Sequence, residues 1–520
     1  MMEGILQGVN TAFTYYNIFM VFIGVFVGTF IGMLPGLGPI SAIALMIPIT
    51  YGMDPASGLI LISGVYYGAV FGGSTSSILI NAPGVAGTVA TAFDGYPMAK
   101  KGQAGKALAI AAYSSFVGGT VSAIFLLIAA PALAEVSLSF QSGDYFALMV
   151  LGLSAVAAFA GKGQFLKAIV MTLFGLMLAT VGSDPDAGIG RFTFGRVDLV
   201  DGISFLLLAM ASFALAEALV AIISHRKEQK KSKEQEEAAV SSSDIGSLKL
   251  TKEEVKEMIG PMSRSSVLGF FVGVLPGAGA TIASFLAYGM ERFFAGKKAG
   301  EFGHGSIRGL AAPETANNAA TSGSFVPLLT LGIPGSGTTA VILGALLSYG
   351  IQPGPRLYVD NPEIFWSVII SMYLGNVMLL ILNLPLIPYI ARLLAIPRQI
   401  LLPLVMFFSL IGVYLVTFNT FDIILMTIFA VVAVFLRIID FPMAPMLLGF
   451  ILGGMMEENL RRALNINDGS LSFLWDRPIA LGILALTTLM LTFPLIQQMI
   501  MKGMRIKKGM YAQEEHITKG

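Results

Sequence analysis

Hydroxyl and amide side chains are concentrated in two stretches of an otherwise apolar chain. The first stretch, residues 72–88, contains Ser74, Thr75, Ser76, Ser77 and Asn81, and the second, residues 317–339, contains Asn317, Asn318, Thr321, Ser322, Ser324, Thr338 and Thr339. Polar groups between apolar segments are costly unless they bond to one another, to water or to a ligand. Hydroxyl donors suit a carboxylate, whereas freed backbone carbonyls and the amides of Asn81, Asn317 or Asn318 could equally supply the oxygen ligands of a sodium ion. The alternative is that small polar residues mediate tight helix packing and satisfy one another across a helix bundle.

Each polar stretch also contains a proline–glycine pair, Pro83-Gly84 in the first and Pro334-Gly335 in the second. Proline removes a backbone donor and glycine admits backbone angles that other residues avoid, so a helix should break at each pair. The N–H groups that begin the next helix would then point at an anion, with the positive end of the helix dipole behind them. Pro83 follows Ser77 by six residues whereas Pro334 follows Ser324 by ten, so the two stretches correspond only loosely.

A longer break motif occurs twice, and its copies lie 241 residues apart. Residues 28–42 and 269–283 share the pattern G-x3-G-x-L-P-G-x-G-x3-A, and the predicted breaks are at Pro35, Gly36 and Gly38 and at Pro276, Gly277 and Gly279. At membrane depth, irregular backbone survives only where protein buries it or where it lines a water-filled cavity. Paired interrupted segments in the two halves of a chain are therefore typical of a transporter's binding site. For the G-x3-G part alone, close helix packing is the alternative.

The composition indicates a protein that crosses a membrane many times. Hydrophobic residues make up 55% of the chain and charged residues 12%, with a mean hydropathy of +0.79. A soluble chain of this size carries about 25% charged residues. The net charge of +1 predicts no nucleic-acid partner.

The residue types also argue against an enzyme. The chain has no cysteine and three histidines, which excludes disulfides and thiolate chemistry and leaves little for histidine-based catalysis. The two Gly-x-Gly segments of the duplicated motif lack the third glycine and the preceding strand of a dinucleotide fingerprint. We therefore predict no enzymatic activity, no catalytic residue, no metal centre and no cofactor apart from a coupling Na+ or H+.

Apolar runs predict an all-α polytopic membrane protein with about twelve transmembrane helices in two repeated halves. The runs lie near residues 17–34, 56–73, 106–131, 143–160, 164–182 and 203–224, and near 264–276, 310–331, 338–350, 364–396, 399–417, 421–438, 441–456 and 478–501. The run 38–50 is half as long and predicts a re-entrant or broken helix, and two prolines predict a kink in 364–396. Inverted halves are the commoner basis of alternating access, so we expect inversion, with parallel halves as the alternative.

Between the halves the composition changes abruptly. Residues 225–257 hold eight bases and eight acids, which are sixteen of the chain's 63 charged residues. We therefore divide the chain into a first membrane repeat (1–224), a charged linker that is helical in part (225–263), a second membrane repeat (264–501) and a tail (502–520). Basic residues after the last span of each repeat place the linker and the tail in the cytoplasm. The N-terminus has one acid, Glu3, and no base before the first run, so we expect the first span to be retained.

Two ionisable residues outside the linker are further candidates. Glu314 is a possible proton or cation site, or simply begins a helix after Pro313. Arg308 is a possible counter-charge for a substrate, or a marker of the cytoplasmic side.

The sequence resembles a known family, the large permease subunit of the tripartite tricarboxylate transporters. The resemblance covers essentially the whole chain. It rests on the duplicated motif, on residues 66–84 (YYGAVFGGSTSSILINAPG) and on residues 312–320 (APETANNAA).

The resemblance implies a multi-pass permease of the bacterial inner membrane that works with two companions. One companion is a small membrane subunit with about four spans, and the other is a periplasmic solute-binding protein that delivers a carboxylate. A sodium or proton gradient would drive import by symport. Substrates in the family range from citrate and other di- and tricarboxylates to aromatic acids.

The breaks would shape half-helices, while the hydroxyl and amide residues named above would face substrate or ion. Replacing Ser76 or Thr321 by alanine should then impair uptake without preventing insertion. The nearest alternative is a stand-alone cation-coupled organic-anion carrier, and a channel or a membrane scaffold is more distant. Sodium or proton coupling, and a rocking or an elevator mechanism, remain open alternatives.

Overall fold

The computed structural model describes residues 2–34, 36–158, 164–184, 186–228, 245–390 and 398–492. The helices of the first half are α1 (Met2–Ala12), α2 (Tyr15–Gly32), α3 (Gly38–Thr50), α4 (Pro55–Ile80), α5 (Val89–Met98), α6 (Ala104–Ser137), α7 (Ser142–Ala158), α8 (Phe165–Ala179), α9 (Phe205–Ala209) and α10 (Ala216–Glu228). Those of the second half are α11 (Lys252–Val274), α12 (Gly279–Phe294), α13 (Ile307–Gly323), α14 (Phe325–Leu331), α15 (Gly337–Ser348), α16 (Pro355–Asp360), α17 (Pro362–Asn383), α18 (Ile387–Ile390), α19 (Arg398–Thr417), α20 (Thr420–Ile438), α21 (Ala444–Ile466), α22 (Phe473–Asp476) and α23 (Pro478–Thr492).

The predicted all-α class is confirmed. In the described ranges, strand structure is limited to β1 (Gly182–Ser183), which pairs antiparallel with β2 (Gly190–Arg191). A 3-10 turn (Ala86–Thr88) leads into α5, and π-helical segments join α5 to α6 (Ala99–Gln103) and α9 to α10 (Met210–Leu215).

Seven segments of the described chain are long and apolar enough to cross a membrane. They are Tyr15–Gly32, Pro55–Ile80, Ala86–Ser137, Phe205–Ile223, Pro362–Asn383, Ile400–Thr417 and Thr420–Ile438. Among the shorter apolar helices are α3 and α15, each of which directly follows a break. The chain is a multi-pass membrane protein with broken helices, while the total of about twelve crossings and the inversion of the halves stay predictions.

Both copies of the duplicated motif break a helix in the same way. Turns of a few residues separate α2 from α3 and α11 from α12, and each second helix begins at the last glycine of its motif. The φ angles are 97° at Gly36, 59° at Gly38, 79° at Gly277 and 61° at Gly279. A Cβ is strained at such angles, so both breaks depend on glycine. Pro276 lies within the second break, whereas Pro35 lies outside the described residues.

The halves also repeat their closest helix contacts, between α2 and α4 and between α11 and α13. At four glycines an added Cβ would collide with the backbone of the partner helix. The pairs are Gly28 with Val65 and Gly32 with Ala69 in the first half, and Gly269 with Ala316 and Gly273 with Ala320 in the second. The glycines of G-x3-G therefore serve close helix packing.

These contacts relate α4 to α13 and α14 by an offset of 251 residues rather than 241, because the connection before α13 is longer. The same offset relates the two helix ends. Asn81 directly follows α4 and Gly332 directly follows α14. Both residues have a left-handed backbone conformation, with φ of 51° and 71°, and a proline lies two residues after each. The comparison based on serine positions was therefore misleading, because the two proline–glycine pairs occupy equivalent places.

Three other boundaries differ from the apolar runs. The run 310–331 is divided at Ser324, since Pro327 supplies no N–H to the preceding turn. α17 ends before Pro385, as the predicted kink in 364–396 requires. α11 begins at Lys252 after a Thr251 capping box, so the end of the predicted linker is helical. Linker residues 229–244, residues 391–397 and the tail lie outside the described residues.

α4 and α13 form the buried centre of the fold. Every residue from Ala56 to Leu79 is buried in α4, and every residue from Gly309 to Gly323 is buried in α13. The first serine cluster and the Asn317-Asn318 pair therefore lie on buried helices rather than in loops. Small residues allow α2, α6 and α11 to approach them closely.

Candidate functional site

The breaks of the two halves meet, so that four helix starts lie around one place. A Cβ added to Gly87, in the turn before α5, would lie 3.4 Å from Ala280 Cβ at the start of α12. A Cβ added to Gly337, at the start of α15, would lie 3.2 Å from Ile40 Cδ1 at the start of α3. Each of these contacts joins one half of the chain to the other.

Contacts within each half close the arrangement. In the first half, a Cβ added to Gly38 would lie 3.9 Å from the Gly84 carbonyl oxygen. In the second half, Gly277 N–H donates to Gly335 O over 2.9 Å, and a Cβ added to Gly279 would lie 3.7 Å from Ser336 Cβ. We call these four helix starts, of α3, α5, α12 and α15, the N-terminal ring.

The N-terminal ring has the electrostatics of an anion site. The first N–H groups of a helix have no partner within the helix, and the helix dipole is positive there. Four such ends around one place favour a carboxylate or another anion. Gly36, Asn81 and Ala86, which lie beside the ring, are exposed, whereas α4 and α13 around it are buried.

In the first half, most of the predicted hydroxyls stabilise the break itself. Ser76 Oγ and Ser77 Oγ donate to Gly73 O over 3.1 and 2.8 Å. Thr88 Oγ1 lies 2.9 Å from Ser77 Oγ and 2.9 Å from Val85 O. These hydroxyls hold the end of α4 against the turn that begins α5, in agreement with the packing alternative.

The second half uses its hydroxyls in a similar way. Ser336 is the N-cap of α15: its Oγ accepts from Thr339 N over 3.2 Å, while Thr339 Oγ1 accepts from Ser336 N over 2.8 Å. Thr321 donates to Asn317 O over 2.9 Å, and Ser324 donates to Thr321 O over 2.7 Å. The capping box fixes the first turn of α15 at the ring.

Three predicted hydroxyls have no hydrogen-bond partner in the described part of the chain. They belong to Thr75, Ser322 and Thr338, which are 2%, 3% and 7% exposed. Thr338 is the second residue of α15 and lies in the ring. Because buried hydroxyls normally find a partner, these three are the best-placed of the predicted side chains for a ligand.

The predicted amides connect α13 to the ring. Asn318 Nδ2 donates to Asn317 Oδ1 over 2.6 Å, and Asn317 Nδ2 lies 3.5 Å from Gly87 O. Asn81 plays a different part, since its left-handed backbone ends α4 and its N–H bonds to Ser76 O.

Glu314 lies inside α13 and is fully buried, so it does not begin the helix. Its Oε2 accepts from Ser74 Oγ over 2.8 Å and from Ser115 Oγ over 2.9 Å, and its Oε1 accepts from Thr91 Oγ1. These hydroxyls come from α4, α6 and α5. No basic side chain among the described residues forms an ion pair with Glu314. Its position one turn before Asn317 brings it close to the ring.

A partly buried ion pair lies beside the first break. Arg437, in the last turn of α20, pairs with Glu217 of α10 and donates to Ser212 O over 2.9 Å. A Cβ added to Gly36 would lie 3.8 Å from Glu217 Oε1. Glu217 therefore links Arg437 to the first break, whereas Arg308 donates to the buried Glu291 over 2.6 Å.

Comparison with known proteins identifies the family. Residues 18–448 match the model of the tripartite tricarboxylate transporter TctA family. The chain belongs to this family. The matched region contains the whole N-terminal ring, Glu314 and the Glu217–Arg437 pair, so the geometry described above lies in the part that defines the TctA family.

Two similar proteins come from Agrobacterium vitis. The first, an uncharacterized 52.8 kDa protein in the TAR-I ttuC' 3' region, is 44% identical over 478 residues, which are 92% of this chain and 93% of that protein. The second, an uncharacterized protein in the TAR-II ttuC' 3' region, is 44% identical over 218 residues, which are 42% of this chain and 90% of that protein. No solved structure matches the chain significantly.

Sequence reasoning missed several of these residues in the TctA-family chain. Thr91 and Ser115 lie more than 190 residues from Glu314 in the sequence, and no local pattern relates them to it. Glu217 and Arg437 did carry a signal, because an ionisable residue in or at the end of an apolar run is a functional candidate by default.

Proposed function

We propose that this chain is the large permease subunit of a carboxylate importer in the bacterial inner membrane. Its companions would be a small membrane subunit of about four spans and a periplasmic solute-binding protein. A sodium or proton gradient would drive the import of citrate, a related di- or tricarboxylate, or an aromatic acid. TctA-family membership supports the transporter class and the need for companions.

The observation that carries the proposal is the N-terminal ring. Four helix starts, two from each half, lie close together, and none of their first turns carries a basic side chain. Such a site attracts a carboxylate and, having no full opposite charge, releases it more readily than a salt bridge would. Contacts between the halves pass through the ring, so a movement of one half against the other would change access to it.

Arg437 would assist the ring at the first break. Its guanidinium already holds the Glu217 carboxylate, and guanidinium groups bind carboxylates in a bidentate geometry. A substrate carboxylate bound at the break near Gly36 would lie close to the Glu217–Arg437 ion pair.

The test is uptake of labelled citrate and other carboxylates into vesicles that contain this chain and its small membrane companion. Uptake is measured with and without the binding protein, under a sodium gradient or a proton gradient alone. Uptake that needs the binding protein and one gradient supports the proposal. Uptake by the chain alone supports a stand-alone carrier, and flux without gradient coupling supports a channel. No uptake of any carboxylate by correctly inserted protein contradicts both carrier functions.

A matched pair of variants tests the ring in the same vesicles. Thr338→Val removes a hydroxyl of the ring that has no protein partner, and its loss should raise KM about tenfold if the hydroxyl donates to the substrate carboxylate. Thr330→Val is the control, because Thr330 is buried in α14 and its hydroxyl only donates to Val326 O over 2.7 Å. Equal KM values for the two variants would remove Thr338 from the site.

A further inference from the structure

A small cavity adjoins the hydroxyls that hold Glu314. Ser74 and Ser115 line it, together with Thr75, Asn383 and apolar side chains of α4, α6 and α18. The cavity is small, with a volume of about 10 Å³. This is room for one water molecule or one bare monovalent cation.

The polar groups that face the cavity offer oxygen rather than N–H. A serine hydroxyl that gives its proton to Glu314 keeps its lone pairs free on its other side, and both Ser74 and Ser115 bond in this way. Thr75 has no hydrogen-bond partner among the described residues. Asn383 uses its Nδ2 to donate to Leu379 O over 3.0 Å, which leaves its amide oxygen available. Hydroxyl and amide oxygens beside a carboxylate are ligands that a hard cation prefers.

The end of α17 adds to the negative potential. Asn383 is the last residue of α17, where the helix dipole is negative. Pro385 has no N–H, so the carbonyl four residues before it lacks its helical donor. Ends of interrupted helices with freed carbonyls coordinate coupling cations in other membrane carriers.

The charge of the cluster calls for a cation. Glu314 is 0% exposed and is held by three hydroxyls, which are neutral. A carboxylate removed from water without a positive partner is unfavourable, and a cation or a proton can neutralise it. A proton alone would use neither the cavity nor the unpartnered oxygens of Thr75 and Asn383, whereas a sodium ion would use both.

We propose that this cavity binds one Na+, with the Glu314 carboxylate balancing its charge. The inference rests on the proposed function, since it makes this ion the one that couples to import. Thr91 links the site to the ring: it donates to Glu314 and lies in α5, whose start is part of the ring. Binding of Na+ would therefore fix α5 and α13 next to the place where the carboxylate binds.

The direct test is equilibrium binding of radioactive Na+ to the purified full-length chain. Thr75→Val removes one oxygen from the cavity and keeps the side-chain volume. Thr120→Val is the matched control, because Thr120 lies on the neighbouring α6 with a buried, unpartnered hydroxyl and does not line the cavity. Glu314→Gln removes the charge.

The proposal predicts saturable binding of one Na+ per chain. Thr75→Val should weaken the affinity by about tenfold or more, Thr120→Val should bind like the unchanged protein, and Glu314→Gln should show no saturable binding. If Glu314→Gln does not fold, Thr75→Val still decides. Undiminished Na+ binding by Thr75→Val would overturn the site. A chain that binds no Na+ and takes up a proton instead would overturn the choice of ion.

Uptake measurements separate this inference from the proposed function. Binding-protein-dependent carboxylate uptake that runs on a proton gradient alone, in a chain without Na+ binding, would overturn the sodium site and leave the importer intact. Saturable Na+ binding that is lost in Glu314→Gln, in a protein that transports no carboxylate, would support the site and overturn the importer.

Discussion

Replacing Gly277 by alanine should destabilise the protein much more than the same change at Gly289, an open position within α12. The backbone at Gly277 has a φ of 79°, which costs a residue with a Cβ about 1–2 kcal/mol. The new Cβ would also lie 2.8 Å from the carbonyl carbon and oxygen of Ala155 and 3.0 Å from Val156 N. Backbone atoms cannot turn away as a side chain can, so this overpacking adds about 1–3 kcal/mol. The expected total is about 2–5 kcal/mol.

Two other glycines provide the comparison. Gly36→Ala has the same left-handed strain at 97°, but the nearest atom to its new Cβ is Glu217 Oε1 at 3.8 Å, so only the strain of about 1–2 kcal/mol is expected. Gly289→Ala lies within α12 with no atom within 4 Å, and removing a glycine from a helix should stabilise it by about 1 kcal/mol. The unfolding free energy should therefore fall most for Gly277→Ala and rise for Gly289→Ala.

The assay is the unfolding equilibrium of the full-length chain in one detergent, with the three variants measured side by side. Uptake by vesicles is recorded in parallel. A Gly277→Ala variant as stable as Gly289→Ala would refute the argument that the second break depends on a left-handed glycine packed against α7.

Three further predictions concern other polar contacts. Asp94→Asn should speed amide hydrogen exchange in the loop before α13, because one Asp94 oxygen accepts from three backbone N–H groups of that loop over 2.7–2.9 Å. Unchanged exchange rates would show that Asp94 does not stabilise this loop. Arg437→Met should destabilise the protein by about 1–3 kcal/mol, because the partly buried Glu217 carboxylate loses its ion-pair partner, whereas the double change with Glu217→Met should recover most of the loss in a double-mutant cycle. The Ala187 N–H and further donors hold the pKa of Asp184 below its usual value. The ionised Asp184 side chain therefore stabilises the folded protein at pH values above about 4, the pKa in the unfolded chain. This stabilisation is lost as the pH falls through the lower pKa of the folded protein. Between about pH 5 and pH 3 the unfolding midpoint should therefore fall more for the unchanged protein than for Asp184→Asn, and parallel curves would contradict this.

The fold features that follow from local chemistry could be predicted from the sequence. Proline and glycine act on their own backbone, so the breaks at Gly36, Gly38, Gly277 and Gly279 were predictable, as was the interruption at Pro385. The membrane class followed from composition, and the all-α class from the lengths of the apolar runs. The number of crossings could not be derived in this way. A helix such as α11 begins with charged residues and ends with apolar ones, so hydropathy does not decide whether it crosses the membrane.

The site was predictable only in part, because its contacts are distant in sequence. The hydroxyl clusters lie at the helix breaks, but most of these hydroxyls bond to carbonyls of their own break and only a few stay unpartnered. The ring itself needs contacts such as Gly87 with Ala280, which no periodicity reveals. The partners of Glu314 come from three different helices, and only the folded chain brings them together.

The spacing between serine and proline did not identify the equivalent positions of the two repeats. The second repeat has extra residues before α13, and its polar residues occupy different positions on the equivalent helices. Backbone contacts of small residues, such as Gly32 with Ala69 and Gly273 with Ala320, identify the equivalent positions where side-chain chemistry does not.

The central claim is that a carboxylate binds at the N-terminal ring, and an experimental structure of the complete transporter with citrate or another transported carboxylate tests it most directly. The account predicts substrate density within hydrogen-bond distance of the first amides of α3, α5, α12 and α15, next to Thr338. Density for the carboxylate away from all four helix starts, with the ring intact and empty of substrate, would contradict it.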